Sequence, residues 1–465
     1  MGRVHRPLCC WIVVVVVSAG AATAAEQGFA ARQAADSKRP PNIVLIVADD
    51  LGYGGAGCYG QKRVKTPAID ALAEQGTLFT DFYAGCCMCA PSRSVLMTGM
   101  HGGRTRVRAN DPRQTLLAKD VTLSSLLSAA GYRCGGFGKW GLGDVGTEGE
   151  PSAHGFQQWV GYLDQREAHF HYPDWIWKDQ QKFALEGNDW KAGRRQTYAP
   201  DVIHAAALDF IRANKDQPFF CFVASTIPHA ELLVPADSLK EYEGQFPETP
   251  YVGEHYASNP QPRATYAAMV SRFDRDIGRI VSLVEELGLS DNTVVMFTSD
   301  NGPITAGGAD PEFFQNAGPL RGLKFSLYEG GLRVPMIVSW KGRVPEGRKS
   351  DAVWGFDDLM VTLCDLAETT PPVGVDGVSV VPEILGETGG ETRRYRYWET
   401  PRPAGLVQAV RMDHWKGVRP EPDAAVELYD LASDIGERVD VAEKYPEVVA
   451  TIEQYMSEAH VPPSF

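Results

Sequence analysis

Two pairs of adjacent residues carry the hard oxygen donors that divalent cations prefer. Asp49 and Asp50 follow one continuous apolar run, and Asp300 and Asn301 follow another. Ca²⁺ and Mg²⁺ take about six oxygen ligands, chiefly from carboxylates, amides and carbonyls. Acids and amides at strand ends also cap turns and helices, so either pair alone has an explanation without a metal. Together the pairs predict a divalent-cation site.

Cys89 lies at the predicted amino end of a helix. Pro91 favours the first turn of a helix, and Ser92 and Arg93 fall within that turn. The free N–H groups and the helix dipole at such an end attract anions. A nucleophile at this position would therefore meet an anionic substrate in a favourable field. A structural thiol before an ordinary helix is the alternative that this segment alone leaves open.

The elements that must position these residues alternate between strands and helices. Three apolar runs rich in β-branched or aromatic residues predict buried strands: Pro41–Ala48, Phe219–Ser225 and Thr293–Thr298. Helical patterns lie between them: Ala68–Gln75, Leu123–Ala130, Val202–Ala213 and Tyr266–Leu287. This alternation predicts an α/β fold with a mostly parallel sheet. Ligands bind beyond the carboxyl ends of such strands, where both acidic pairs lie.

After about Leu385 the pattern changes. Short strand-like segments and a final helical stretch are separated by turn residues: Arg394–Trp398, Val407–Met412, Trp415–Val418, Ala425–Tyr429 and Glu447–Ala459. They predict a small antiparallel-sheet subdomain with one helix over residues 386–465, after a catalytic domain over residues 41–385.

The amino terminus predicts export. A short basic stretch from Arg3 to Arg6 precedes the apolar run Leu8–Gly20 and the small residues Ala22-Thr23-Ala24. This order is typical of a cleaved signal peptide, here residues 1–25, followed by a polar linker over residues 26–40. A membrane anchor needs roughly 20 apolar residues, which is longer than this run. We expect a secreted or periplasmic protein without stable membrane insertion.

The overall charge excludes one class of partner. The 465 residues include 45 Lys and Arg against 59 Asp and Glu, a formal net charge of −14. Proteins that wrap nucleic acid or bind membranes through polybasic surfaces have the opposite balance, so we expect no nucleic-acid partner. With 44% apolar and 22% charged residues, the composition is that of a folded protein.

The cysteines predict a thiol outside any disulfide. Two of the nine cysteines lie in the predicted signal peptide, which leaves an odd number: Cys58, Cys86, Cys87, Cys89, Cys134, Cys221 and Cys364. At least one is therefore unpaired or chemically modified. The cluster around Cys89 has no second Cys or His pair at zinc spacing, so we expect no zinc site.

Several motifs together resemble the type I sulfatases, a formylglycine-dependent family of the alkaline phosphatase superfamily. Cys89-Ala90-Pro91-Ser92-Arg93 with Thr98-Gly99 is similar to the signature in which the cysteine is converted after translation to formylglycine. The other motifs follow in the expected order: Pro41–Gly60, Gly138-Lys139-Trp140, Pro228-His229, Asp300-Asn301-Gly302, Leu320–Lys324 and Glu329–Pro335. The resemblance implies an alkaline-phosphatase-like fold, a large mixed sheet flanked by helices.

The resemblance also implies a metal and a modified nucleophile. Ca²⁺, with Mg²⁺ less expected, would be held with the oxidised Cys89 by Asp49, Asp50, Asp300 and Asn301. One hydroxyl of hydrated formylglycine, acidified beside the cation and Arg93, would attack sulfur, and the second would then expel sulfate. A formylglycine-generating maturation enzyme is therefore an expected partner.

Three further roles rest on the same resemblance. Lys139 and Lys324 would clamp the sulfate oxygens, where charge collects in the transition state. His229 would protonate the departing alcohol. Without the resemblance, these residues are equally well explained as two solvated lysines and a loop histidine.

One position departs from the family pattern. Many relatives have a histidine after Gly-Lys-Trp, where this chain has Gly141. The stretch Asp164–Pro173 resembles a subgroup that pairs Gly-Lys-Trp-Gly with a downstream Ala-His, so His169 is predicted to take the missing role, with His171 as the other candidate. The alternative is an aromatic wall that stacks on a sugar ring, made of His169, His171, Tyr172, Trp175 and Trp177.

The predicted activity is hydrolysis of a sulfate ester, with a sulfated saccharide as natural substrate and aryl sulfates as surrogates. The negative charge of the chain favours short oligosaccharides over dense anionic polymers. Three alternatives remain: a phosphate or phosphonate monoester hydrolase on the same frame, a non-catalytic protein that binds sulfated glycans, and a thiol-dependent hydrolase with unmodified Cys89.

Overall fold

A central mixed sheet organises the computed structural model. The structure describes residues 1–2, 39–253, 255–388, 390–391 and 393–462. The predicted signal peptide and linker fall almost entirely outside these residues and stay predictions. From Pro40 onward the described residues form one compact unit, and the division between residues 41–385 and 386–465 stays a prediction.

The strands and helices have the following bounds. The strands are β1 Asn42–Ala48, β2 Thr77–Phe79, β3 Phe82–Tyr83, β4 Arg133–Lys139, β5 Gln158–Tyr162, β6 Trp175–Lys178, β7 Gln181–Ala184, β8 Phe219–Ala224, β9 Thr293–Ser299, β10 Met336–Ser339, β11 Arg348–Ser350, β12 Trp354–Gly355, β13 Arg396–Arg402, β14 Gly405–Met412, β15 Trp415–Arg419 and β16 Glu427–Asp430. The α-helices are α1 Pro67–Glu74, α2 Cys89–Thr98, α3 Leu123–Ala129, α4 Ala199–Ala213, α5 Ala236–Leu239, α6 Pro262–Glu286, α7 Pro311–Phe314, α8 Glu329–Leu332, α9 Phe356–Leu366, α10 Val381–Ile384 and α11 Pro446–Ala459. The predicted strands and helices listed above are confirmed to within a few residues.

The main sheet has the order β11-β2-β10-β9-β1-β8-β4-β5-β6-β7 within the described part of the chain. Its centre, from β9 through β1, β8 and β4 to β5, is parallel. Antiparallel strands extend both sides, with β10 beside β9 and the β6–β7 hairpin beside β5. The predicted α/β class with a mixed, mostly parallel sheet is therefore confirmed.

Strand β1 is apolar throughout because both of its faces are buried. Val44 and Ile46 point into one core, whereas Ile43 and Leu45 point into the other. The first core lies under α1, α4 and α6, and the second under α2, α3 and α9. A strand covered by helices on both sides loses the alternation of apolar and polar residues that a half-exposed strand shows.

The four C-terminal strands β13 to β16 form a separate antiparallel sheet, as predicted. Helix α11 packs on one face through Ile452 and Tyr455. The other face packs against the segment just before α2, where Trp398 Nε1 donates to the carbonyl oxygen of Ala84 at 2.9 Å. Buried Lys416 adds an ion pair to Glu329 of α8 at 2.7 Å. This sheet therefore supports the segment that carries Cys89.

Among the residues described, we find no helix with the length and apolar character needed to cross a lipid bilayer. The seven cysteines outside the predicted signal peptide are all free thiols.

Candidate active site

Helix α2 begins at Cys89, as the sequence predicts, and this end of the helix is buried. The backbone N–H of Ala90 donates to Asn110 Oδ1 at 3.0 Å. Ser92 Oγ donates to the carbonyl oxygen of Asp300 at 2.6 Å, and Arg93 Nη1 donates to that of Lys139 at 2.7 Å. The first turn of the helix is thereby fixed to the ends of β9 and β4.

The two acidic pairs meet because their strands are parallel neighbours. Ala48, the last residue of β1, lies opposite Ser299, the last residue of β9. The backbone N–H of Asp50 donates to Asp300 Oδ1 at 3.2 Å, and Asn301 Nδ2 donates to Asp50 Oδ1 at 2.6 Å. Asp50 has a φ of 68°, which turns the chain sharply after the strand.

Two cations, Lys139 and Arg93, face Asp49 and Asp300. Lys139 Nζ, at the end of β4, lies 2.7 Å from Asp49 Oδ2. Arg93 donates to Asp300 Oδ2 through Nε at 3.1 Å and Nη2 at 2.8 Å. All of these groups are buried and paired, which is the condition under which charges are tolerated inside a protein.

Lys324 joins Cys89 to the acidic cluster. Its Nζ lies 2.8 Å from Asp50 Oδ1 and 3.0 Å from Cys89 Sγ. Cys89 Sγ also lies 3.5 Å from Asp49 Oδ1. Burial, with a further contribution from Asp49, raises the pKa of the Cys89 thiol to about 12. As an unmodified thiol this residue is protonated at neutral pH, which makes it a weak nucleophile.

The donor set fits a hard divalent cation. Ligand atoms of Asp49, Asp50, Cys89 and His229 all lie within 4.8 Å of one another. The side-chain oxygen of Asn301 is buried and has no partner among the described residues. Burial raises the pKa of Asp50 despite the nearby Lys324. Clustered buried carboxylates and an unpaired amide oxygen are the groups that a hard cation would satisfy.

Two histidines complete the site. His229 Nε2 lies 3.4 Å from Asp50 Oδ2, and its Nδ1 lies 2.5 Å from the carbonyl oxygen of Ala230. Burial, reinforced by Lys324, holds the pKa of His229 well below its usual value. His169 stacks on His229 with ring centroids 4.0 Å apart, and Tyr256 Oη lies 3.3 Å from its Nδ1.

A cavity of about 450 Å³ reaches Ala90, the residue directly after Cys89. Ala90, Gly141, Gln165, His169 and Tyr256 are among its lining residues. An enclosure of this size is typical of a small-molecule site.

All of the predicted site residues lie in or directly against one buried cluster, and His169 joins it through His229. The other candidate, His171, contacts the backbone of His229 instead of its ring: His171 Nε2 lies 3.2 Å from the carbonyl oxygen of His229. Of the five residues in the alternative aromatic wall, His169 lines the cavity, whereas Trp175 and Trp177 pack against each other on β6.

Sequence analysis missed Gln165 and Tyr256 as lining residues. Gln165 lies in the stretch Asp164–Pro173 that pointed to His169, whereas Tyr256 has no motif or spacing that could have marked it; both reach the cavity through loops.

The Sulfatase family model matches residues 41–369, which is more than half of the chain and includes each of the predicted site residues. The chain belongs to the sulfatase family. A second model, described as the C-terminal part of N-sulphoglucosamine sulphohydrolase, matches residues 323–461.

Curated relatives and solved structures of the sulfatase family agree with this assignment. Human arylsulfatase A is 32% identical, with 90% of this chain and 87% of that protein covered. N-acetylgalactosamine-6-sulfatase of the dog is 32% identical over 75% of this chain, and the match spans 66% of the length of that relative. The structure of Ps i-CgsB in complex with k-i-k-neocarrahexaose is 27% identical, with a TM-score of 0.79 and coverage of 92% and 95% of the two chains. The alkaline-phosphatase-like fold implied by the sequence motifs is thereby confirmed.

Proposed function

We propose that this member of the sulfatase family hydrolyses a sulfate ester of a carbohydrate. The observation that carries the proposal is the arrangement of Cys89 at the amino end of α2, within hydrogen-bond distance of Lys324 and beside buried carboxylates. A relative named N-acetylgalactosamine-6-sulfatase and a neighbour solved in complex with k-i-k-neocarrahexaose support a saccharide as the substrate.

The cluster stabilises a tetrahedral anion in the place next to Cys89. Lys324 Nζ lies 3.0 Å from Cys89 Sγ and Lys139 Nζ lies 2.7 Å from Asp49 Oδ2, so both ammonium groups belong to the cluster around Cys89, and the α2 amino end adds its N–H dipoles. Fixed positive groups in a water-poor site stabilise charge that develops on sulfate oxygens more strongly than water does. Arg93 holds Asp300 in position through two hydrogen bonds.

Cys89 and the acidic pairs fit the two groups that the family implies. Cys89, once matured to formylglycine, would supply a hydrated aldehyde as the nucleophile. Asp49, Asp50, Asp300 and Asn301 are the residues that would hold Ca²⁺, in preference to Mg²⁺, and the cation would supply positive charge beside the sulfate.

His229 is proposed to protonate the departing alcohol. Its ring lies beside Asp50, and the Nδ1 contact with the carbonyl oxygen of Ala230 fixes the ring orientation. A bound sulfate brings negative charge next to the imidazole and favours its protonated form. His169, stacked on His229, is proposed to take the role of the histidine that Gly141 replaces.

Export and maturation belong to the same proposal. The amino-terminal pattern of residues 1–25 supports a secreted or periplasmic protein. A cysteine becomes formylglycine only through a separate oxidising enzyme, so the producing cell must supply one.

The test combines mass spectrometry with a substrate panel. Trypsin releases the peptide Thr66–Arg93, in which an aldehyde at Cys89 appears as a mass loss and as capture by a hydrazide. We expect the aldehyde in active protein and turnover of sulfated sugars, with Cys89→Ala inactive. An intact thiol together with full activity would support a thiol hydrolase. Faster turnover of phosphate or phosphonate monoesters would replace the sulfatase assignment, and binding without turnover of any ester would indicate a glycan-binding protein.

A further inference from the structure

Residues 321–328, which we call the lysine segment, carry Lys324 and form neither helix nor strand. Phe325 in this segment has a φ of 70°, a conformation that a residue with a bulky side chain adopts only at a cost in free energy. Such a conformation persists when the surrounding structure holds it in place. Contacts with the rest of the protein must therefore fix the position of the Lys324 ammonium group.

Two backbone hydrogen bonds hold the middle of the lysine segment. The N–H of Lys324 donates to the carbonyl oxygen of Pro303, and that of Phe325 donates to the carbonyl oxygen of Cys87, both at 2.9 Å. The first acceptor lies two residues after the predicted metal ligand Asn301, and the second lies two residues before the proposed nucleophile. These bonds join the middle of the segment to two other parts of the site.

Arg321 ties the start of the lysine segment to the C-terminal sheet. Its Nη1 donates to Tyr429 Oη on β16 and to the carbonyl oxygen of Glu437, each at 2.9 Å. Its Cζ lies 3.8 Å from the ring centroid of Tyr328, at the other end of the segment. The planar guanidinium group can stack on a ring and donate hydrogen bonds at the same time. One side chain therefore contacts both the sheet and the far end of the segment.

A buried ion pair ties the residue after the lysine segment to the same sheet. Glu329 Oε1, at the start of α8, lies 2.7 Å from Lys416 Nζ on β15, and the backbone N–H of Glu329 donates to Glu437 Oε2 at 2.7 Å. The backbone N–H of Gly330 donates to the carbonyl oxygen of Arg321 at 2.7 Å. The two ends of the segment therefore meet, and the C-terminal sheet and the loop after it hold both.

We propose that Arg321 is a positioning residue, whose contacts with the C-terminal sheet fix the lysine segment and keep Lys324 Nζ 3.0 Å from Cys89 Sγ. The proposal rests on the proposed function, since it concerns the ammonium group that would stabilise charge on the sulfate. A charged group stabilises a transition state only from a fixed place, and a displacement of about 1 Å can lower a rate by about 10²-fold. The C-terminal sheet thus acts on the reaction through Lys324.

The first measurement compares Arg321→Ala with wild type on the sulfate ester that wild type hydrolyses fastest. We expect kcat to fall by about 10-fold and KM to rise by less than about three-fold, because the displaced group acts chiefly in the transition state. Arg321→Lys keeps the charge but lacks the planar fork, so it should recover part of the loss.

The matched control is Arg343→Ala. Like Arg321, this arginine is exposed and lies over an aromatic ring, that of Trp340. Because both arginines are exposed, neither replacement buries a charge that has lost its partner. The control should keep the wild-type kcat and KM.

A double-mutant cycle separates positioning from a general effect on the fold. Lys324→Ala removes the ammonium group that Arg321 is proposed to place, so adding Arg321→Ala should lower kcat by less than about two-fold. A residue that only supports the fold would lower kcat by the same factor with and without Lys324, together with the melting temperature. Tyr429→Phe removes one acceptor of Arg321 and should cause a loss of about three-fold that also disappears without Lys324.

The affinity for inorganic sulfate gives a readout that does not depend on turnover. Sulfate is the product of the proposed reaction, and a displaced ammonium group makes a weaker charge-assisted hydrogen bond to it. We expect the Kd of sulfate, measured by calorimetry, to rise by about 3- to 10-fold in Arg321→Ala and to stay unchanged in Arg343→Ala.

The outcomes separate the two proposals. Wild-type protein that contains formylglycine but hydrolyses no sulfate ester would overturn the proposed function, and the sulfate affinities would still report the placing of Lys324. Active wild-type protein whose Arg321→Ala variant keeps full kcat would overturn the role of Arg321 alone. Equal losses with and without Lys324 would likewise assign Arg321 a purely structural role.

Discussion

The imidazole rings of His169 and His229 stack with their centroids 4.0 Å apart and their planes inclined by 18°. Burial lowers the pKa of His169, and the neighbouring His229 lowers it further. Two stacked cations repel each other, so at most one of the two rings is in the protonated, cationic form at neutral pH. One ring can therefore act as an acid while the other remains a neutral base or hydrogen-bond acceptor.

His169→Ala tests whether this histidine contributes to turnover. We expect kcat on the best sugar sulfate to fall by about 10²-fold, the usual contribution of one acid–base group, with a smaller change in KM. Tyr256→Phe keeps the ring and removes the hydroxyl that lies 3.3 Å from His169 Nδ1, so it should show a milder loss. Full turnover by His169→Ala would contradict the assignment.

Lys139→Ala and Lys324→Ala test the sulfate clamp. Each variant removes one ammonium group from the cluster, and we expect kcat/KM to fall by about 10²- to 10³-fold. Lys341→Ala is the matched control, because this lysine is exposed and paired with Asp291 at the surface. Circular dichroism of each variant checks the fold. A clamp variant that retains more than about a third of wild-type kcat/KM would contradict the role.

Calcium should stabilise the folded protein. Binding at 100 times the dissociation constant adds about 2.7 kcal/mol to the free energy of unfolding, which calorimetry detects as a higher melting temperature. EDTA should reverse the shift. Asn301→Ala removes the unpaired amide oxygen and should weaken calcium binding by at least about 10-fold.

The control for the calcium experiment is Asn292→Ala, which changes an asparagine just before the opposite end of β9. It should keep the wild-type calcium response. An Asn301→Ala variant with the same calcium affinity as wild type would place the cation elsewhere.

The raised pKa of buried Glu437 should make the free energy of unfolding depend on pH. Burial raises its pKa to about 8 from an ordinary value of 4.5, although Lys416 partly opposes the shift. Between these values the folded protein holds a proton that the unfolded chain releases, so the free energy of unfolding falls as pH rises. One such group contributes a slope of up to about 1.4 kcal/mol per pH unit.

Glu437→Gln replaces the protonated carboxyl with an uncharged amide. The decline in stability between pH 4.5 and 8 should then become shallower, as measured by denaturant unfolding across this range. Burial opposes ionisation of the neighbouring Glu329, but Lys416 and Arg333 outweigh it and lower the pKa of Glu329 to about 2. The contribution of Glu329 to the free energy of unfolding is therefore lost only below pH 4.5. Identical pH profiles for wild type and the variant would show that Glu437 is ionised in the folded protein.

The sequence alone predicted the elements whose patterns are local. The apolar runs at β1, β8 and β9 indicate strands buried on both faces, and the helix that starts at Cys89 follows from Pro91 and the residues after it. The order of the motifs marked Asp49, Asp300, Lys139 and Lys324 as members of one site. Parallel strands bring their carboxyl ends to one edge, which made the meeting of the acidic pairs predictable.

Only the tertiary structure decided the contacts made through loops. The stacking of His169 on His229, the approach of Tyr256 and the placing of the Gln165 amide over Gly141 join residues far apart in the chain or held on irregular segments. Hydrophobic periodicity carries no information about such segments, since their paths depend on what the rest of the fold leaves open to them. The residues predicted as nucleophile and metal ligands were therefore readable in the sequence, whereas the loop residues that line the neighbouring cavity were set by long-range packing.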